Sequence, residues 1–189
     1  MLIQHYQDGE RSALDALIQK HQARAYQYAF HLTKDPDVAA DVVSDSFLKV
    51  YKALDKFKGD SAFSTWLYRI ITNTFFDMRK RQSIRHTTSL EAHLHTEEGE
   101  VEIQIEDPTQ SPLEEAEQKD RERTIGSAVR QLSSYQKAIV LLYHVEMLSY
   151  SEIAEVLDLP IGTVKSRLNR ARLSLRELLH ADREMFAVA

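Results

Sequence analysis

Residues 163–177 set five cations, Lys165, Arg167, Arg170, Arg172 and Arg176, around a helix-spaced apolar stripe of Val164, Leu168, Ala171 and Leu175. Guanidinium and ammonium groups on the outside of a docked helix neutralise phosphates and reach base edges in a DNA major groove. A second set, Trp66, Arg69, Asn73, Phe76 and Lys80, recurs every three or four residues and so shares a helix face. Rings on which bases stack, beside cations that track phosphates, suit single-stranded DNA. The loop before it, Phe57-Lys58-Gly59-Asp60-Ser61-Ala62-Phe63, combines small residues with flanking aromatics, a composition fit for a pocket that holds an extruded base. The same spacing also fits a core role for Trp66 and Phe76 with solvated charges around them.

The elements that must position these groups are helical. In Ser149–Leu179, SYSEIAEVLDLPIGTVKSRLNRARLSLRELL, Ser149 and Glu152 form a Ser-x-x-Glu capping box. The short helix it starts buries Ile153, Ala154 and Leu157. Leu159-Pro160-Ile161-Gly162 is the expected turn, with Pro160 blocking continuation and Gly162 tolerating unusual angles. Thr163 is the expected cap of the second helix, whose stripe runs on to Leu178. The result is a helix-turn-helix. Upstream, a helix is expected from about Gly9 to Thr33. Asp35-Pro36 is a strong start signal for the next one, in which Val43, Phe47, Val50 and Leu54 make the expected core stripe. A third helix is expected from about Phe63 to Arg81, with Leu67, Ile70, Ile71, Phe75 and Met78 inward. Near the C-terminus, helices are expected at 121–131, 135–146, 150–157 and 163–180.

Charge along the 189 residues is segregated, which the net −5 conceals. Residues 87–122 hold 12 acidic and 2 basic side chains, whereas 66–86 and 163–177 each hold 5 basic and 1 acidic. The acidic stretch is poor in apolar residues and interrupted by Pro108 and Pro112, so it cannot offset its chain entropy by burial. Val101, Ile103 and Ile105 alternate, but among acids they make a weak strand. The reading is all-α, two small helical domains, 10–82 and 121–180, joined by an acidic flexible linker over 83–120. There is no cysteine, which removes disulfides and thiolate chemistry. MLIQHYQDGE lacks the basic and apolar regions of a secretory signal. The longest apolar run, Ala138 to Tyr143, is far too short to span a bilayer. A cytoplasmic protein without direct membrane insertion is expected.

DVVSDSFLKVYKAL, GDSAFSTWLYRIITN with the downstream RKR, and SYSEIAEVLDLPIGTVKSRLNRAR, in this order, resemble the extracytoplasmic function (ECF) group of bacterial RNA polymerase sigma factors. The resemblance covers roughly residues 10–82 and 121–179. It implies promoter-specific transcription initiation, with sigma region 2 in the first domain and sigma region 4 in the second. It places docking on core RNA polymerase on Asp41 to Leu54, with Asp41, Val42, Asp45, Ser46, Lys49 and Lys52 as the contact set. It places capture of a flipped −10 base on Phe57, Lys58, Gly59, Asp60, Ser61, Ala62 and Phe63 with Asn73. Trp66, Arg69 and Lys80 would support the melted strand. Reading of the double-stranded −35 element falls to Thr163, Lys165, Ser166, Asn169 and Arg170, with Arg167, Arg172 and Arg176 as phosphate contacts. An inhibitory anti-sigma partner is also implied. Where the family often has glycine before Leu-Ser-Tyr, this chain has Met147, which would shift the turn between helices.

The implied linker would thread the polymerase's cationic channels, where its acids mimic RNA; a passive spacer is the other reading. A flexible 36-residue tether, the length of the acidic stretch 87–122, spans about 33 Å root-mean-square and about 120 Å extended. The two promoter elements lie roughly 85 Å apart on straight B-DNA, so the tether reaches only when held extended. The rival reading is a helix-turn-helix activator of the response-regulator output type, which the N-terminal half does not fit, having no alternating strands and helices. His93 and His95 invite a metal reading, but no third ligand is in register. No Gly-rich phosphate loop or acid/base pair is present, so neither a cofactor nor an enzymatic activity of its own is expected.

Overall fold

The computed structural model describes residues 2–88 and 123–187, and every regular element among them is helical. The order is α1 (Leu2–Gln7), α2 (Ser12–Thr33), α3 (Pro36–Ala53), a 3₁₀ turn (Leu54–Lys56), α4 (Phe63–Thr88), α5 (123–131), α6 (Ser134–His144), α7 (Tyr150–Leu157) and α8 (Ile161–Ala187). The alternating segment at Val101–Ile105, the pair His93 and His95, and residues 89–122 of the expected linker lie outside the described residues.

Helices α2, α3 and α4 pack on one another as a bundle. Tyr28 sits fully buried at its centre, exchanging a 2.8 Å hydrogen bond with Thr72, whose hydroxyl also donates to the Tyr68 carbonyl. A buried phenol so partnered carries no desolvation debt, and burial pushes its pKa well up. The start of α3 follows from its sequence. Asp35 is extended, and its carboxylate accepts from the Asp37 and Val38 amides at 2.9 and 3.0 Å while Pro36 opens the helix.

The second group is α5 to α8. Ser149 and Glu152 close the expected capping box at the start of α7. An equivalent box, Ser133 with Gln136, starts α6. Val164, Leu168 and Ala171 of α8 are buried against α6 and α7, together with Ile153, Val156 and Leu157. The two groups also touch each other: α7 lies on α4 and α6 on α2, so a single apolar cluster runs from Ala25 to Ala171.

Several expectations need correcting. The first long helix begins at Ser12, because Gly9 turns the chain at a positive φ of 103° and a separate short α1 precedes it. Helix α4 runs on to Thr88, so residues 83–88 of the expected linker are helical. Helix α8 starts at Ile161, two residues early, with the Thr163 and Val164 amides both bonded to the Pro160 carbonyl. Thr163 therefore lies inside the first turn and caps nothing, and Gly162 is helical. The left-handed residue of that turn is Asp158, at φ 53°.

Candidate nucleic-acid interface

The loop after the 3₁₀ turn is braced from behind. The Gln7 side-chain amide in α1 donates to the carbonyls of Leu54 and Phe57 at 3.1 and 2.9 Å. Gly59 reverses the chain at φ 77°, a conformation that favours glycine. The loop thus returns its aromatics to the start of α4. Phe57 packs on Trp66 with ring centroids 4.8 Å apart, and Phe63 lies 6.3 Å from Phe57 and 5.8 Å from Trp66. His21 of α2 meets Phe63 edge-on at 4.9 Å, and burial holds its imidazole below its ordinary pKa.

The Phe57 and Trp66 rings wall a cleft of 460 Å³ whose other sides are formed by Ala53, Lys56, Lys58, Gly59, Asp60, Ser61, Thr65 and Arg69, and by Glu155 of α7. Of the residues expected at the −10 element, Phe57, Lys58, Gly59, Asp60, Ser61, Trp66 and Arg69 are thereby brought together. Phe63 backs the cleft through its ring contacts. Ala62, Asn73 and Lys80 are exposed but do not line it. Asn73 and Lys80 continue the Arg69 face along α4, one and three turns on. Phe76, expected on that exposed stripe, is instead covered: it stacks on Tyr135 of α6 at 5.2 Å with an interplanar angle of 8°.

On α8, Lys165, Ser166, Arg167, Asn169, Arg170 and Arg172 are exposed and Thr163 is half-buried. Three of the cations rest on rings. Lys165 lies 5.7 Å from Tyr150, Arg167 4.7 Å from Tyr135, and Arg172 4.8 Å from Tyr143. Tyr143 and Tyr150 are themselves stacked at 5.3 Å. Arg172 further donates to the His144 ring at 3.2 Å, so that nitrogen is unprotonated, and burial and the guanidinium both lower the His144 pKa. Held this way, the cations lose less side-chain entropy on meeting phosphates. Ser166 bonds back to the Thr163 carbonyl at 3.0 Å. Asn169 and Arg170 make no side-chain hydrogen bond or ring contact among the described residues.

The α3 face differs from expectation by one helical position. Val42 and Ser46 are 2% and 0% exposed, and Ser46 bonds the Val42 carbonyl at 2.6 Å. Neither can meet a partner. Val43 and Phe47, expected in the core, are half-buried. The buried residues of α3 are Ala39, Val42, Ser46 and Val50, spaced three, four and four, so the stripe is rotated from the expected one and carries the small residues Ala39 and Ser46. Asp41, Asp45 and Lys52 are exposed. Lys49 leans onto α4, donating to Thr74 at 2.8 Å. The sequence reading missed Leu48 and Tyr51, 51% and 43% exposed on this same face. An exposed leucine amid charges has no periodic signature; the signal available was its place four residues before Lys52 and three after Asp45.

Among the described residues no cluster of His, Asp and Glu could hold a metal, and no helix is long and apolar enough to cross a membrane. The family model for sigma-70 region 2 matches residues 17–84 and that for sigma-70 region 4 matches residues 122–175. The chain is 34% identical over 183 residues to the RNA polymerase sigma-H factor of Pseudomonas aeruginosa, covering 94% of this chain and 92% of that one. It is 36% identical over 176 residues to the ECF RNA polymerase sigma-E factor of Escherichia coli K12, covering 91% and 89%. Among solved structures it resembles the sigma factor RpoE of Bartonella quintana in complex with the anti-sigma factor NepR (TM-score 0.69, 25% identity, 89% of this chain and 97% of that one). It also resembles CnrH in complex with the cytosolic domain of CnrY (TM-score 0.65, 27% identity, 96% of each).

Proposed function

The chain belongs to the sigma-70 family of RNA polymerase sigma factors, in its extracytoplasmic function group, and on that premise we propose how its own residues divide the work. It directs core RNA polymerase to promoters and so confers promoter-specific initiation. Residues 10–82 form the part that docks on the polymerase and opens the −10 element; residues 121–180 form the part that reads the −35 element, with the stretch from the end of α4 to residue 120 as the tether. The observation that carries this division is the aromatic-walled cleft beside Lys58 and Arg69, set against the exposed cationic face of α8. A concave ring-lined site suits one extruded base, and a convex cationic helix suits a major groove.

In the cleft, Trp66 and Phe57 stack the base while Lys58 and Arg69 follow its phosphates; Asn73 and Lys80 continue that track along α4. On α8, Asn169 and Arg170 read base edges, and Lys165, Arg167 and Arg172 hold phosphates. Docking on the polymerase uses Asp41, Asp45 and Lys52 around Leu48 and Tyr51, an apolar centre with a charged rim. An anti-sigma factor would compete for that same face, as its exposure in the free chain permits. The chain supplies no chemistry of its own, works in the cytoplasm beside the polymerase, and needs no cofactor.

The test is transcription of fragmented genomic DNA by core polymerase with and without the full chain, sequencing RNA 5′ ends. New start sites sharing two upstream motifs are expected. No new start sites with the native host's core enzyme would overturn the reading and leave a helix-turn-helix regulator.

A further inference from the structure

Helix α1 lies ahead of residues 17–84, which carry the region 2 match, yet one of its side chains reaches the backbone of the cleft. The Gln7 amide donates to the Leu54 carbonyl at 3.1 Å and to the Phe57 carbonyl at 2.9 Å, with the Asp55 carbonyl a weaker third acceptor at 3.4 Å. All three partners are acceptors, so the Gln7 nitrogen and not its oxygen must face them. The two short bonds grip both ends of the 3₁₀ turn, which is itself closed by the Phe57 amide donating to the Leu54 carbonyl at 3.1 Å. A planar peptide whose oxygen is held has its plane set. Here that plane carries the chain from the Phe57 ring to Lys58.

The turn that follows α1 fixes its place. Gly9 reverses the chain at φ 103°, and the Asp8 and Glu10 amides donate back to the Gln4 and His5 carbonyls at 2.8 and 2.9 Å. Glu10 also pairs with the His5 ring at 3.0 Å and accepts from the Ser12 hydroxyl at 3.2 Å. The loop beyond Phe57 has no such support. Among the described residues, Lys58 to Ser61 make no hydrogen bond. The chain is next fixed where the Ala62 carbonyl accepts from the Trp66 amide at 3.1 Å. A loop tied at its two ends takes its shape from the ties, and Gln7 makes the first of them.

We propose that Gln7 is a positioning residue for base capture, holding Phe57 against Trp66 so that the cleft is formed before the base arrives. The proposal rests on the reading of that cleft as the −10 site. A pre-formed pocket costs less ordering when its ligand enters, and Gln7 supplies that order although it does not line the cleft. Without its two donated bonds the Phe57–Lys58 peptide is free to rotate, the Phe57 ring leaves Trp66, and the base meets one wall in place of two.

Trp66 is the only tryptophan of the chain, so its emission reads the cleft in the full-length protein. Two variants remove the donors: Gln7→Met, of similar length and uncharged, and Gln7→Glu, which sets a carboxylate against the carbonyls. Both are expected to red-shift Trp66 emission and to raise its quenching by acrylamide. As holoenzyme, both are expected to bind a fluorescent single-stranded oligonucleotide about tenfold more weakly. The oligonucleotide carries the non-template −10 strand of a promoter mapped as above. That loss should vanish on an oligonucleotide made abasic at the position where removing the base costs the wild type most. Wild-type emission and quenching in both variants overturns the proposal. So does a loss of equal size on the abasic oligonucleotide, which a general loosening of the first domain would give. Trp66→Ala in the holoenzyme separates the two readings. Initiation that survives this change removes the −10 cleft itself, and the role of Gln7 with it. Loss of initiation alongside wild-type oligonucleotide binding in both Gln7 variants removes the role of Gln7 alone.

Discussion

The cleft at the start of α4 and the outer face of α8 both combine aromatic rings with cations, yet in inverse order. In the cleft the rings line the concavity, and the cations Lys58 and Arg69 stand beside them. On α8 the cations are outermost and the rings, Tyr135, Tyr143 and Tyr150, lie beneath them. A ring that is to stack on a base must be open to it, whereas a ring that orients a guanidinium must be covered by it. The order of layers, more than composition, separates a single-strand site from a duplex site.

The largest effect expected is at the cleft. Trp66→Ala removes one stacking wall, worth about 1–3 kcal/mol per base. Open-complex formation on mapped promoters, measured by permanganate reactivity of the −10 thymines, should fall about five- to 150-fold. Duplex −35 affinity should stay as it was. Next comes Arg170→Ala, expected to cost about 1–3 kcal/mol at a cognate −35 element and to relax preference there, while Arg172→Ala weakens all sequences alike and lowers the salt slope by about one. Competition binding of holoenzyme to −35 variants across a salt series separates the two. If Arg172 rather than Arg170 changes preference, the layered comparison is wrong for α8.

Two smaller effects concern the joint between the sites. Met147 is 80% exposed and holds φ 57°, where a side chain costs about 1–2 kcal/mol. Met147→Gly relieves that strain but loosens the unfolded chain, so a net gain of about 0.5–1 kcal/mol is expected, read as a rise of a few degrees in thermal midpoint. Met147 thus holds a left-handed conformation in this turn without being glycine. At Glu146, burial raises the carboxyl pKa above its ordinary 4.5, and the Tyr68 hydroxyl offsets this only in part. The folded chain binds that proton more tightly than the unfolded one. This group's contribution is therefore fully present below pH 4.5 and is lost as pH rises through the elevated folded value. The stability difference between wild type and Glu146→Gln should change through that window and be flat well above it. A difference that is constant through the window would show that the burial of Glu146 has no energetic consequence.

Local signals were legible in the sequence because they are chemical and short-ranged. The Asp35-Pro36 start and the Ser149–Glu152 box are satisfied by atoms two or three residues away. The Val164, Leu168, Ala171 stripe was equally readable, since its buried positions are all apolar and fall at helical spacing. On α3 the buried stripe includes the small residues Ala39 and Ser46, and the weak apolar character of Ser46 hid its burial from a periodicity reading. The start of α8 moved because Pro160 opens the helix by position as readily as it blocks the preceding one. Least legible was the contact between the two halves. Tyr68 with Glu146, Phe76 with Tyr135 and Arg69 with Asp158 join residues far apart in the sequence, which no local signal links.

The most direct test of the division of labour is to map RNA 5′ ends from the same genomic fragments with holoenzymes carrying Trp66→Ala or Arg170→Ala. The account predicts that Arg170→Ala blurs the upstream motif while the downstream motif stays sharp, and that Trp66→Ala lowers output at every promoter with the upstream motif intact. Both variants degrading the same motif would contradict it.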